Sequence, residues 1–576
     1  MSMPLPFRPS SRLLQAVTYL CGSSLALAVP LAFWRWSAGY DWHYFDSLSW
    51  VVRSAVLHYR TLPLHDPWVC GGVDLAANPQ SRLLSPLMLL DLALTPHNAN
   101  LLTLWLFAAG GWASMTLLLR HLGRSRPLSL LGGWLFIAST WFSLHWSEGH
   151  IRFAAIALLP LVCLTLLRLS ERRMQLALAT LLSFFMLEGA IYAFVYSLYL
   201  ALALTLAGMV PWRQALAAAW RAPLFSLALL VAAAALIASK AYPIEAMHDT
   251  SARKVESVAL FWELPRILFW PRQSRHHGIG LEYRFHEYGM YLGVVAAACV
   301  AWGLRQRELR RSMLGWLLVA VLFFWAATNW LTPLSPWSLL QNLPLLRNAH
   351  VPSRLFVLFH IAWIVVLTAS LERLRPARAA FLAVAVFLAA ETLTVSTLTW
   401  LAAYSWGSPT IRADATAPLI TVEDWHHTIE MAEKPAHYGK GLGSRYCYEP
   451  VQSQRAIRFK EQPVYVGELE LRSGRGKATL ETVTPGRVTL HYEGASPAIA
   501  EVNLNALGGW VVESGAATVL QGRKRLAVQF RRSGPVTVRY RPFYLPAMVA
   551  SWSLGTLLLL ALWLRELTAP RPGRPL

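Results

Sequence analysis

Apolar runs, most of roughly 17 to 22 residues and so long enough to cross a bilayer core of about 30 Å as a helix, recur along most of the chain. They predict about 12 spanning helices, over 12–33, 100–119, 128–145, 153–168, 175–188, 191–209, 223–239, 288–304, 313–331, 355–371, 379–400 and 545–564. The polar breaks between them alternate in kind. Arg120, Arg124 and Arg126 fill one break, and Arg168, Arg172 and Arg173 the next but one. Arg213 with Arg221, then Arg305, Arg307, Arg310 and Arg311, then Arg373, Arg375 and Arg378 continue the series. The C-terminal tail adds Arg565, Arg571 and Arg574. Basic loops stay in the cytoplasm, so both termini are expected there. The opposite breaks near Glu148 and Glu188 are nearly free of Arg and Lys. The long segments 35–99, 240–287, 332–354 and 401–544 then all fall on the outer side.

Within 401–544 the pattern changes period. Gly486-Arg487-Val488-Thr489-Leu490-His491-Tyr492-Glu493-Gly494 and Pro535-Val536-Thr537-Val538-Arg539-Tyr540 alternate apolar with polar. A period of two bounded by Gly and Pro marks half-buried strands. Several at short spacing predict a small β-sandwich-like domain, while 401–465 shows no period. The expected fold is mainly α, a polytopic membrane helical bundle with an outer-face β-domain before the last helix. Its divisions are 1–400 for the transmembrane part, with a first outer loop at 35–99, then 401–544 for the periplasmic domain. Residues 545–576 form the last helix and cytoplasmic tail.

Composition agrees with this class. Of 576 residues, 55% are hydrophobic and 14% charged, with mean hydropathy +0.39; a soluble protein carries about a quarter charged residues. The net charge of +21 invites a nucleic-acid reading. The excess sits in the short Arg-rich loops, so it sets orientation and no nucleic-acid partner is expected. Arg8 and Arg12 precede an apolar stretch that runs to Phe33. That is long for a cleaved leader, and a retained first helix is expected. Cys21, Cys163 and Cys299 fall in apolar spans as packed thiols. Cys70 and Cys447 fall outside them, and a disulfide between the two is left open. There is no Cys-x-x-Cys spacing.

The chemistry concentrates where acids stand beside spans. The first outer loop holds Asp41 and Asp46 in Tyr40-Asp41-Trp42-His43-Tyr44-Phe45-Asp46, then Asp66 and Asp74. Asp41 lies just past the first span, placed to accept a proton from an incoming hydroxyl; the plainer reading is a solvated helix cap. Asp66 and Asp74 stand in Pro- and Gly-rich turns, where Asp is routine. Trp146-Ser147-Glu148-Gly149-His150 forms an outer turn that places Glu148 and His150 in the same compartment. Glu188 interrupts an apolar run, which is costly and often functional. Cations on the same face suit a phosphate-bearing substrate: Lys240 at the end of a span, and Arg347, His350 and Arg354 in the segment 346–354. Arg forks donate two parallel hydrogen bonds to phosphate, although snorkelling to lipid headgroups also explains them. His43 is grouped with these on the substrate side. His276, His277, His286 and Glu287 match no metal motif, so no metal or other cofactor is assigned.

These residues resemble a family. Asp41 after the first span, Leu62-Pro63-Leu64-His65-Asp66-Pro67, Gly71-Gly72, Asn78-Pro79 and Ser85-Pro86 are similar to the first outer loop of the YfhO-like bacterial membrane proteins. Val351-Pro352-Ser353-Arg354 before a helix, Gly509-Trp510 in the outer β-domain and Tyr540-Arg541-Pro542 before the last helix extend the resemblance over most of the chain. Tyr59-Arg60-Thr61 departs from the usual Gly-containing turn, and there is no Asp-x-Asp pair. The family resembles the wider GT-C group of polytopic glycosyltransferases. The resemblance implies transfer of a sugar from a polyprenyl-phosphate carrier to a cell-envelope glycan, lipid or protein at the outer face of the bacterial cytoplasmic membrane. A sugar phosphate brings its own leaving group, so the tasks left are a carboxylate base and cations for the departing phosphate. The expected catalytic set is Asp41, Asp46, Asp66, Glu148, His150 and Glu188; the substrate-binding set is His43, Lys240, Arg347, His350 and Arg354.

Two other classes fit the same pattern. A transporter or flippase of lipid-linked glycans would place ionisable residues near the midplane on broken helices, whereas here they gather at the outer ends. A non-catalytic envelope assembly protein would need the β-domain but not the acidic and basic clusters. The orientation is directly testable. A reporter active only in the cytoplasm, fused near residue 480, is expected to be silent; a strong signal overturns the outer-face assignment.

Overall fold

The structure, a computed structural model, describes residues 11–39, 41–247, 261–274, 276–279, 281, 283–332, 334–341, 351–374, 378–405, 407–410, 421–423, 442–444, 457–458 and 462–569. Most of the expected first half of the outer domain, together with Arg347, His350 and Cys447, lies outside them. α1 (Ser11–Ala26) enters the bundle. The first outer segment folds back as α2 (Asp41–Arg53), a π turn at Ser54–His58, a hairpin of β1 (His65–Asp66) and β2 (Val73–Asp74), and α3 (Met88–Ala93). There follow α4 (Pro96–His121), α5 (Arg126–Ile137) and α6 (Thr140–Glu148), then a 3-10 turn at Ile151–Leu158. α7 (Leu159–Leu167), α8 (Arg172–Leu187), α9 (Ile191–Leu206) and α10 (Pro223–Met247) continue the bundle. The short α11 (Phe285–Tyr288) precedes α12 (Val294–Gly303), α13 (Leu314–Thr328), α14 (Phe356–Leu374) and α15 (Arg378–Tyr404). Pro starts α4, where its missing N–H has no helical partner to lose, and left-handed residues end α6 at Gly149 and α13 at Asn329.

Among the described residues, 6 helices are long and apolar enough to cross a membrane: Pro96–His121, Arg126–Glu148, Pro223–Met247, Pro352–Arg373, Ala379–Tyr404 and Leu545–Thr568. Each remaining expected span contains a shorter helix, so the observed number of full-length spans is smaller than the expected number. Leu224, Leu227 and Leu230 on α10, and Leu382 and Val386 on α15, are exposed. An apolar outer face of that kind suits lipid. At one end of the bundle the Arg-rich loops meet acids from other helices. Arg124 pairs with Glu372 at 2.7 Å, and Arg373 with Glu308 and Arg173 with Glu566 at 3.6 Å. These contacts join the basic stretches near 124, 308 and 373 to one another, and the one near 173 to the end of the last helix.

The first outer segment is buried in the core over much of its length. α2 is buried on nearly every residue. Its backbone is self-satisfied as a helix, which permits such burial. Further along, Arg82 forms a bidentate pair with Asp91 of α3 and lies 3.6 Å from Glu188 at the end of α8. Arg152 approaches the same Glu188 at 3.3 Å. All four groups are buried, so two cations and two anions compensate one another away from water.

Among the described residues one six-stranded sheet precedes the last helix: β3 (Leu469–Thr484), β4 (Arg487–Asn505), β5 (Trp510–Ser514), β6 (Ala517–Leu520), β7 (Arg525–Phe530) and β8 (Gly534–Tyr540). β3 lies antiparallel to β4 along most of its length. The opposite edge of β4 pairs first with β8 and then with β7. The order β6-β7-β4-β8-β5 puts two consecutive strands at its ends, so the sheet curls and is barrel-like. Val488, Leu490, Tyr492, Val536 and Val538 fill its interior, on the alternation read from the sequence. α16 (Leu545–Thr568) returns to the bundle beside α10. A Cβ on Gly555 would stand 2.6 Å from Leu236 Cγ and 2.8 Å from the Ala232 carbonyl, so only glycine allows this approach.

The sheet also grips the first outer segment. Asn505 donates through Nδ2 to the carbonyls of Cys70 (2.7 Å) and Gly72 (3.0 Å), and its backbone N–H donates to Gly71 (2.7 Å). Asp74 accepts from the hydroxyls of both Tyr540 and Tyr544. Cys70 is disulfide-bonded, and Cys21, Cys163 and Cys299 are free. The buried charge group sets the first stability test. Asp91→Asn leaves two guanidinium groups facing one carboxylate, and about 3–5 kcal/mol is expected to be lost. Thermal unfolding of the detergent-solubilised chain checks this; an unchanged midpoint means the pair is dispensable.

Candidate active site

Asp41 opens α2, and its position is set from the facing turn. Gly149 adopts φ 101°, and a Cβ there would stand 2.1 Å from the Trp42 nitrogen and 2.6 Å from the Asp41 carbonyl carbon. The missing side chain therefore lets the start of α2 seat directly against the end of α6. Trp42 Nε1 donates to the Trp146 carbonyl at 2.9 Å and fixes the contact. Asp41 and His150 thus meet, with Oδ2 and Nε2 3.3 Å apart. His150 Nδ1 lies 2.9 Å from His145 Nδ1. Glu148 stands within electrostatic range of Asp41, Glu287 and Arg284.

A second pair closes the cluster. Ser353 donates to the Glu287 carbonyl at 2.8 Å, which brings the turn before α14 against α11. Arg354 then holds the Glu287 carboxylate with both Nε, at 2.7 Å, and Nη2. Its Nη1 donates to the Tyr192 hydroxyl at 2.9 Å, and its guanidinium lies 5.0 Å from the Phe153 ring centre. The His286 and His150 rings are 6.4 Å apart. Asp41, Glu148 and His150 each keep 8% exposure, whereas His145 keeps 1%. The first three line the accessible edge, and His145 lies behind them. Among the described residues no group of three or more His, Cys, Asp or Glu is arranged to hold a metal ion.

Four residues expected from the sequence therefore come together: Asp41, Glu148, His150 and Arg354. The others are committed elsewhere. Asp46 accepts from Asn100 at 2.8 Å and meets His97 at 3.0 Å, which ties α2 to α4. Asp66 accepts from the Trp68 backbone at 2.9 Å, a turn-forming contact. Glu188 joins the Arg82–Arg152 group and accepts from Ser85 at 2.5 Å. His43 is buried in α2. Lys240 donates to the carbonyls of Ala76 (3.1 Å) and Asn78 (2.7 Å), so it braces the first outer segment. Arg347 and His350 lie outside the described residues. His65, within the Leu62–Pro67 block, packs between Trp510 and Tyr540. Burial pulls its imidazole down to about 3, so it is neutral.

His145, Glu287 and Tyr192 are the members that sequence reasoning did not assign to this cluster. A His inside an apolar span five residues before His150 was the available signal, since ionisable groups there are costly. Glu287 stood out only as a metal candidate, because nothing in the sequence pairs it with Arg354. No protein-family model and no curated protein matches the chain.

Burial alone would raise the Glu287 carboxyl, but the Arg354 guanidinium holds it well below its ordinary value of 4.5. A carboxyl depressed in this way adds stability that is complete above the unfolded pKa and is lost as pH falls through the folded one. Unfolding midpoints of the wild type are therefore expected to drop steeply below pH 4.5. Glu287→Gln is expected to be less stable at pH 7 and to flatten that acid limb. Parallel curves for the two proteins would show that the pair adds nothing to the fold.

Proposed function

We propose that the chain is a GT-C-type glycosyltransferase resembling the YfhO-like proteins. In this reading it moves a sugar from a polyprenyl-phosphate carrier to a cell-envelope acceptor. The bundle has twelve spans, the shorter helices completing those that are too short alone. The basic end faces the cytoplasm, and the Asp41 cluster faces the outer side of the bacterial cytoplasmic membrane, with both termini inside. The observation that carries the reading is Asp41 itself, a nearly buried carboxylate at the accessible edge of a polar cluster. It lies 3.3 Å from His150 Nε2, at the ends of α6 and α14 remote from Arg126 and Arg373.

Asp41 takes the proton of the acceptor hydroxyl as that oxygen attacks the sugar carbon. The carrier phosphate leaves with the bonding pair, so no general acid is required. One displacement inverts the carbon. The proposed division of labour changes for Arg354. Its charge is compensated by Glu287, so it shapes the pocket wall and holds α11 in place. Donor phosphate binding is left to cations such as Arg347 and His350. A transporter is disfavoured because the cluster sits at helix ends rather than on broken helices.

Asp41→Asn tests the reading. The amide keeps the size of the carboxylate but cannot take a proton. The variant is expected to remain monodisperse and to unfold near the wild-type temperature. It is expected to transfer sugar at least about two orders of magnitude more slowly, the usual scale for loss of a general base. Near wild-type transfer by the folded variant makes Asp41 structural. A wild-type protein inert toward a panel of polyprenyl-phosphate sugars favours the transport or assembly readings.

A further inference from the structure

We infer that His145 is a positioning residue, which fixes the tautomer of His150 so that His150 presents an N–H to Asp41. The inference rests on the proposed role of Asp41 as base. An ionised carboxylate can only accept hydrogen bonds. At 3.3 Å from Asp41 Oδ2, a bare His150 Nε2 would set its lone pair against the carboxylate, so the close approach favours hydrogen on Nε2. A neutral imidazole carries one N–H, so His150 Nδ1 is bare and must accept. His145 Nδ1, at 2.9 Å, supplies the donor. Its ring is held for that task, 4.3 Å from the Trp141 ring and 5.2 Å from Phe153.

The alternative tautomer would point the Nε2 lone pair at the carboxylate. It would repel Asp41 and release it from the orientation needed for the acceptor.

The test uses the full chain in lipid nanodiscs, labelled with 15N-histidine. The nitrogen shifts report which ring atom carries hydrogen, and His150 is identified by the signal lost in His150→Gln. Wild type is expected to show His150 as the Nε2–H tautomer above neutral pH. His145→Asn keeps an N–H donor and is expected to preserve it. His145→Leu removes the donor and is expected to give a mixture with the Nδ1–H form. An Nδ1–H tautomer in wild type overturns the inference. So does an unchanged tautomer in His145→Leu; if that variant does not fold, loss of the tautomer in folded His145→Asn has the same force. With one polyprenyl-phosphate sugar as probe, His145→Leu is expected to transfer about tenfold more slowly, a fraction of the full effect of a general base. His145→Asn is expected to stay within about threefold, and donor KM is expected to be unchanged in both. If the tautomers behave as stated and wild type transfers no sugar, the glycosyltransferase reading fails and the tautomer lock stands.

Discussion

A charge taken out of water must find its counterion inside the protein, and this constraint organises the part of the molecule around residues 35–99. An unpaired ion in such surroundings costs several kcal/mol. Arg82, Asp91, Arg152 and Glu188 come from the first outer segment, the 3-10 turn and the end of α8. The first outer segment carries Arg82 and Asp91 together, and the 3.6 Å approach of Arg82 to Glu188 seats that pair against Arg152. Its backbone becomes a rigid floor, and α2 stands on it with Asp41 at its tip.

The same logic links the strand domain to the site. Asp74 is anchored by Tyr540 and Tyr544, and the backbone beyond it is caught by Lys240 at Ala76 and Asn78. Asn78 donates to the Tyr44 hydroxyl at 2.8 Å, and Tyr44 lies one turn along from Asp41. Burial raises the Asp74 carboxyl above its ordinary value, and the two tyrosine hydroxyls oppose that only in part. The strand domain thus holds the floor from the far side through side chains that never touch the cluster.

Much of this was legible in the sequence. Apolar run length located the helices because it reports a local property of the chain. Alternation located β4 and β8 for the same reason. Asp41, Glu148, His150 and Arg354 were visible because each stands beside the end of an apolar run. What could not be read was partnership. Glu188 and Asp46 look as exposed to chemistry as Asp41 does, and only the folded chain shows Arg82 and Asn100 against them. The pair of Glu287 with Arg354 joins residues 67 positions apart, and no periodicity encodes such a meeting. What run length could not show of 35–99 is that its charged residues find partners inside the fold.

The contact between Asn505 and Cys70 spans 435 positions. At a synthesis rate of about 5–20 residues per second, the first outer segment waits roughly 20–90 s for the strand that will hold it. During that interval Asp74 and the edges of the β1–β2 hairpin lack their final partners from the strand domain. The protein is therefore vulnerable at birth in a way the finished fold conceals. Its demand on chaperones and proteases is set by the time between synthesis of residues 35–99 and arrival of its last hundred residues.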